Sequence, residues 1–510
     1  MGPLARLPLH PLLLAAYAVL FVYAANISEV LPADLWWPLT VALGVAGVVL
    51  VACALLYRDL RRGALLATAV VLAVGFFGHV GAQLGDTFVS EPLQLAAWAG
   101  LLVAVGVYAW RAGSSLSGVT AALNVFGLAL LAITLVTIIP AETSRAARAS
   151  QGEPVGDDVI AEATRWPDRD IYLLVFDRYG SDWSIEERYG IGNDIYPQLR
   201  ECGFTVVPGA RANYRATDFS LASILNLDTL DDLTESIGRV SDDRTPARAK
   251  LAEHEAGRFL RANGYRYYHL GAWYGPTRSS PIADEVRVWG STTEFEQVLR
   301  DATILPALER LAGWVEDDDF RYRHREEALF TFRQLHRLAD EPGRKFVFAH
   351  ILLPHPPYGF DADGGVVRKA TEKEAIADGR ESELFAEQLA FTNARMLEVV
   401  EALLDRPPDE QPIIVITGDE GPFICGDIDC VDRTPETYGI RFGALRAYYL
   451  PDLDYQVPPD DSGVNIFRML FREYFGADLP DLPNRSYDWP DNDHLYDFRD
   501  ITEELPLPLE

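Results

Sequence analysis

Three short segments of the chain carry acidic or imidazole side chains at places where a fold could bring them together. Asp177 follows the apolar run IYLLVF (171–176) and precedes Arg178, Tyr179 and Gly180. Asp419 and Glu420 follow a second run, PIIVIT (412–417), and His355 follows a third, KFVFAHI (345–351). Three carboxylates gathered at one place repel each other unless a cation sits among them. Hard oxygen donors suit Mn²⁺, Mg²⁺ or Ca²⁺, whereas zinc prefers some nitrogen. A hydroxyl comes from NYRATDFSLASILN (213–226), where Thr217 opens a helical stretch. At a helix N-terminus a hydroxyl sits in a positive field beside free backbone N–H groups, which suits binding an anionic ester. A metal bound to that oxygen would lower its pKa and make it a nucleophile. Taken singly, each residue has a plainer role: Thr217 or Ser220 can cap the helix, and an Asp at a strand end often caps or faces water. Convergence is what would make them a site.

The elements that must position them follow from the same runs. Short, continuous apolar runs at 171–176, 345–351 and 412–417, with another at 265–270, suit strands covered on both faces, as in a parallel sheet. Between them lie amphipathic stretches, notably 374–404, where Leu384, Leu389, Met396, Val399 and Leu403 fall near helical spacing. Strands alternating with helices predict an α/β/α sandwich with a mostly parallel sheet. Ligands bind beyond the carboxyl ends of such strands, which selects Asp177, His355 and Asp419–Glu420.

At 510 residues the chain is too long for one ordinary domain. Its mean hydropathy, near zero, hides two unlike parts. In residues 1–140 the bases Arg6, Arg58, Arg61, Arg62 and Arg111 balance the acids Glu29, Asp34, Asp59, Asp86 and Glu91. The whole net charge of −30 therefore lies on residues 141–510. Such a surface repels phosphate backbones and argues against nucleic acid as a partner. Five apolar stretches, 12–25, 36–57, 64–80, 93–110 and 119–139, predict an N-terminal five-helix transmembrane bundle, the first stretch being short for a span. A cleaved signal peptide is the rival for that first stretch, but four more spans follow. Arg58, Arg61, Arg62 and Arg111 fall in the loops after the second and fourth spans, and Glu29 with Asp34 and Asp86 with Glu91 occupy the other two, so the positive-inside rule puts the N-terminus in the cytoplasm. No span carries a central charge, so no ion pathway is expected. The expected organisation is a transmembrane anchor over 1–140, a linker over 141–168 and an extracytoplasmic catalytic domain over 169–510.

Of four cysteines, Cys53 lies within a span; Cys425 and Cys430 flank GDID and could close a small disulfide loop outside the membrane. Cys202 is then left over and is expected to be buried. His350, inside an apolar run, reads as a buried, hydrogen-bonded histidine, and Asp361 with Asp363 as a solvated turn. The acidic run 316–319 reads as solvated surface. Trp273, Tyr274 and Arg278 could line a cleft or simply pack; Asn213 and Arg215 stand near enough to Thr217 to orient a phosphate.

DIYLLVFDRYG, NYRATDFSLASILN, HILLPHPPY and ITGDEGP occur in an order and spacing that resembles the sulfatase-like branch of the alkaline phosphatase superfamily. Lipoteichoic acid synthases and phosphoethanolamine transferases, with about five N-terminal spans and an extracytoplasmic catalytic domain, are the membrane-bound members it is most similar to. The resemblance implies an alkaline phosphatase-like fold, Asp177 as the first acidic metal ligand, Thr217 as a nucleophile whose oxygen also contacts the metal, and Asp419 as a further ligand. It implies that His355 binds the transferred phosphoryl group or protonates the leaving oxygen, and that the reaction passes through a covalent phosphothreonine. At Glu420 the family usually has His; Glu still ligates a hard ion, which favours Mn²⁺ or Mg²⁺, or Ca²⁺, over Zn²⁺. The C/S-x-P-x-R motif of true sulfatases is not found near Thr217.

The expectation is a membrane-anchored enzyme holding one divalent metal ion through Asp177, Thr217, Asp419 and Glu420. It would transfer or hydrolyse phosphoesters of lipid-linked or cell-envelope substrates, with membrane lipids as its other partner. A non-catalytic envelope binding module and a sulfuric ester hydrolase are the alternatives.

Overall fold

The computed structural model describes residues 7–84, 91–112, 116–151, 163–313, 319–367, 371–423 and 433–506. Cys425, Cys430 and residues 316–318 lie outside them. Two compact units emerge: Met1–Val155 with Thr292–Asp318, and Gly156–Ser291 with Asp319–Glu510.

The first unit holds α1 (His10–Ala25), α2 (Pro32–Tyr57), α3 (Leu60–Gly75), α4 (Phe77–Leu84), α5 (Glu91–Arg111) and α6 (Leu116–Gln151). Among the described residues α2, α5 and α6 are each long and apolar enough to cross a membrane. A fourth span results if α3 and the Phe77–Gln83 segment, bent by 55°, count as one. Helix α1, at 16 residues, falls short of that length, so the five expected spans become three to four. Its first turn lacks a capping side chain of its own. Asn124 of α6 supplies the cap, its Oδ1 accepting from the backbone N–H groups of Leu9 at 3.0 Å and His10 at 2.8 Å. Lipid is the natural cover for the exposed flank of α2, where Val45, Val48, Val51 and Leu55 all face outward. The expected linker begins as helix, since α6 runs on to Gln151. The 292–318 segment, expected in the catalytic domain, belongs to the membrane unit.

The second unit is built on a seven-stranded sheet: β1 (Ile171–Phe176), β2 (Thr205–Val206), β3 (Arg266–Leu270), β4 (Glu285–Arg287), β5 (Lys345–Ile351), β6 (Ile413–Gly418) and β7 (Arg446–Tyr449). Their order is β2-β7-β6-β1-β5-β3-β4. β1 lies at the centre, parallel to both β5 and β6, and only β7, between β6 and β2, runs antiparallel to its neighbours. The sheet is therefore mixed but mostly parallel, as the apolar runs predict. Side chains alternate between its faces. Ile171, Leu173 and Val175 enter one core with Phe346, Phe348, Ile413 and Val415; Tyr172, Leu174 and Phe176 enter the other with Val347, Ala349 and Ile416. The Thr217–Asn226 helix packs Phe219, Leu221 and Ile224 into the first core and the Glu381–Leu404 helix packs Leu384, Leu389 and Met396 into the second.

Candidate metal centre and active site

Register does most of the positioning. Phe176 pairs with Ile351 on one side and Gly418 on the other, so Asp177 and Asp419 leave adjacent strands at the same level. Alternation carries residues 171, 173 and 175, 346 and 348, and 413 and 415 onto one face. Continued, it turns Asp177, His350 and Asp419 toward the layer that holds the Thr217–Asn226 helix. Ser220 fastens that helix to the strand end, its hydroxyl donating to the Asp419 carbonyl oxygen at 2.7 Å.

Among the described residues, Asp177, His350 and Asp419 each offer one ligand atom, and these atoms lie within 4.8 Å of one another. Asp177 Oδ1, His350 Nε2 and Asp419 Oδ2 are all buried without a hydrogen-bond partner. Orphaned polar atoms of this kind are costly unless something satisfies them. Two carboxylates and one imidazole suit a divalent cation, and the nitrogen admits zinc alongside Mn²⁺ and Mg²⁺. Burial and the neighbouring Asp419 charge push the Asp177 carboxyl well above its ordinary range. Burial raises Asp419 too, against the pull of the nearby Thr217 hydroxyl and of the Arg178 N–H, the latter donating to Oδ1. That bond measures 2.9 Å, and Arg178 reaches it with a left-handed φ of 55°, an uncommon conformation for a residue with a side chain.

Thr217 is the first residue of its helix, near enough to Asp419 for its hydroxyl to lower that carboxyl. Thr217 and both Asp residues therefore converge. Glu420 stands apart from the three-ligand cluster. Its Oε2 lies 3.0 Å from Arg441 Nη2; burial raises its carboxyl while the Arg441 charge pulls it back down, and burial lowers the guanidinium while the Glu420 charge raises it. The guanidinium carbons of Arg178 and Arg441 lie 3.1 Å and 3.6 Å from the Phe423 ring centroid, so the carboxylates and two cations are interleaved.

His355 is held in a loop that Gln388 of the Glu381–Leu404 helix fixes. Its Nε2 donates to the carbonyls of Pro354 at 3.1 Å and His355 at 2.9 Å, and its Oε1 accepts from Gly359 N–H at 2.8 Å. The His355 ring bonds the Pro356 carbonyl through Nδ1; burial, then the Arg178 charge, keep it well below the usual histidine range.

Sequence reasoning passed over Thr277, Gln388 and Arg441, and read His350 as a buried, hydrogen-bonded histidine, which it is, without its place beside the carboxylates. His350 was legible in principle: positions 346, 348 and 350 share a face, and a histidine there ends the strand beside Asp177. Thr277 Oγ1 lies 2.7 Å from His350 Nδ1. If that nitrogen carries the proton, Nε2 is left as a lone pair on the side of Asp177, whose Oδ2 is 3.7 Å away. The weaker candidates serve structure. Asn213 Oδ1 accepts from Val464 N–H at 2.7 Å, Arg215 pairs with Asp488 at 3.1 Å, and Asp361 Oδ1 closes a turn on Asp363 and Gly365. Cys202 is half-buried, and burial raises its thiol.

No protein-family model and no curated relative matches the chain. Solved structures do. The integral membrane lipooligosaccharide phosphoethanolamine transferase A of Neisseria meningitidis is similar over 97% of this chain and 98% of its own, at 12% identity and a TM-score of 0.41. The C-terminal periplasmic domain of EptC from Escherichia coli, in complex with zinc, is similar over 68% of this chain and 97% of its own, at 11% identity and a TM-score of 0.43. An alkaline phosphatase superfamily protein from Vibrio parahaemolyticus covers 68% of this chain and 80% of its own, at 12% identity and a TM-score of 0.39. The chain is thus structurally similar to alkaline phosphatase superfamily proteins, among them a full-length membrane enzyme. Likeness at this level carries no argument about reaction or substrate, which rest on the residues themselves.

Proposed function

We propose that the chain is a membrane-anchored, cation-dependent phosphoryl-group transferase or phosphodiester hydrolase. It acts on lipid-linked or cell-envelope substrates, with a cytoplasmic N-terminus and the α/β unit outside. The observation that carries the reading is the cluster of orphaned atoms on Asp177, His350 and Asp419, with Thr217 at the head of its helix close enough to lower the Asp419 carboxyl. Those three residues would hold the ion, which when bound supplies charge to offset the phosphoryl oxygens.

The chain's own residues then account for the proton traffic. Thr217 Oγ attacks phosphorus and passes its proton to the carboxylate it already faces, while the bond to the leaving oxygen breaks. Asp419 returns that proton to the leaving oxygen. His355, neutral and with Nδ1 tied to Pro356, keeps Nε2 as an acceptor for the proton of the incoming alcohol or water; as that oxygen bonds to phosphorus the bond to Thr217 Oγ breaks, and the proton is passed on to Oγ, which restores the hydroxyl. Arg178 and Arg441 put two positive charges beside the cluster.

The test is turnover of bis-aryl phosphate by the full chain in detergent with Mn²⁺, together with a search for phosphate on Thr217. Wild-type turnover in Thr217→Ala would sink the nucleophile. A second reading, a binding module without turnover, draws on the Glu420–Arg441 pair, which neutralises a charge where the family usually ligates metal. It predicts no turnover with any phosphodiester. Preference for aryl sulfate over aryl phosphate would favour the third reading, a sulfuric ester hydrolase.

A further inference from the structure

We propose that the Leu305–Ala312 helix is an interfacial membrane helix, its leucine face set into the boundary between head groups and acyl chains. The leaflet is the one at the end of the bundle where α1 stops and α2 starts. The inference stands on the first unit alone and holds whether or not the chain is an enzyme.

The segment 292–318 lies between β4 and the strands that complete the sheet, yet it is part of the membrane unit. The Glu294–Ala302 helix seats it there. Phe295 joins a cluster with Val19, Tyr23, Leu35 and Ile138, its ring 6.0 Å from that of Tyr23. Gly78 allows close approach, since a Cβ there would stand 2.2 Å from the Asp301 carbonyl oxygen. Ile304 N–H donates to the Val74 carbonyl at 3.0 Å. Tyr23, Leu35, Val74 and Gly78 all sit at helix ends on one side of the bundle. That end also carries Trp36 and Trp37, 65% and 67% exposed, a pair that marks the level of a membrane interface.

At this level the Leu305–Ala312 helix shows two unlike sides. Leu305, Leu308 and Leu311, three apart and so on one face, are 47%, 43% and 70% exposed, while Ala307 is buried. Glu309 pairs with Arg300 of the preceding helix, and Arg310 pairs with Glu91 at the start of α5. Those ion pairs hold the helix on the bundle and leave the leucine face uncovered. Three aligned leucines facing water would be unfavourable, and Val298 of the neighbouring helix adds to the patch. The bundle's own apolar flank, with Val45 and Val48 of α2 outward, meets acyl chains, so lipid is the occupant continuous with it.

The test uses the full chain, with its four cysteines replaced, in nanodiscs of phosphatidylglycerol and phosphatidylethanolamine. Nitroxide labels go on Leu305→Cys, Leu308→Cys and Leu311→Cys, with Val48→Cys as the lipid reference and Val240→Cys as the water reference. Collision with oxygen relative to a water-soluble nickel chelate should exceed the Val240 ratio by about fivefold or more at all three leucines. A ratio like that of Val240 overturns the proposal. So does exclusion of both relaxants, which means that protein covers the face. As a second measurement, the unmodified chain is crosslinked with a diazirine-tailed phospholipid. Labelling of the 305–311 peptide supports the proposal; labelling of α2 without it refutes it.

Discussion

The Glu420 carboxylate and the Arg441 guanidinium meet at 3.0 Å, both buried, with Glu420 one residue past the Asp that accepts the Arg178 N–H. A pair so placed neutralises itself, which leaves Glu420 a charge partner at the edge of the cation site rather than one of its ligands. Cation affinity, read by calorimetry on the full chain in detergent, should fall by tenfold or more in Asp177→Asn and Asp419→Asn but stay within about threefold in Glu420→Gln. Equal losses in all three would restore Glu420 to the ligand set. Arg441→Met, which strands the carboxylate, should cost about 3–5 kcal/mol of stability by thermal unfolding.

Thr277 reaches across from the turn after β3 to the far nitrogen of His350, 2.7 Å away. Removing that hydroxyl frees the ring to turn or to change tautomer. Thr277→Val should weaken cation binding by about 10–100-fold, and Thr277→Ser, which keeps the hydroxyl, should recover most of it. Unchanged affinity in the Val variant would show that the ring is held by packing alone.

Gln388 makes its bonds to the backbone on both sides of His355, so it sets the loop rather than touching the cation cluster. In Gln388→Leu the catalytic rate should drop by about tenfold or more while cation affinity holds, because a small misplacement is enough. A matched loss of both would mean the whole strand end has shifted.

Glu327 is buried, accepts the Trp273 N–H at 2.9 Å, and is pushed by burial from 4.5 up to about 8. The folded chain therefore keeps a proton that the unfolded chain releases, and stability falls as pH rises between those two values. Glu327→Gln removes that fall. Its stability relative to wild type should grow by more than about 1 kcal/mol from pH 5 to pH 8, since each pKa unit is worth roughly 1.4 kcal/mol. Parallel thermal unfolding curves across that range would contradict the assignment.

Much of the architecture was legible before any coordinates. The runs at 171–176, 345–351 and 412–417 are β1, β5 and β6 to within a residue, because a strand buried on both faces has to be apolar throughout. Asp177 and Asp419 were legible for the same reason: they are the first charges after those runs. Thr217 showed itself as the start of a helix. The first membrane stretch, already short for a span as a run of apolar residues, is a helix of only 16 residues.

What the linear chain determined, then, is what depends on local composition: which segments are apolar enough to be strands or spans, and which charged residues end them. Partners that come from elsewhere in the chain only the tertiary structure decided. His350 joins the carboxylates through strand register and alternation; Arg441, from 21 residues downstream, claims Glu420; and the 292–318 segment seats itself on the membrane helices. Each of these is a long-range pairing set by burial and charge neutralisation, energies that accrue between distant residues and leave no periodic mark on the segments that form them.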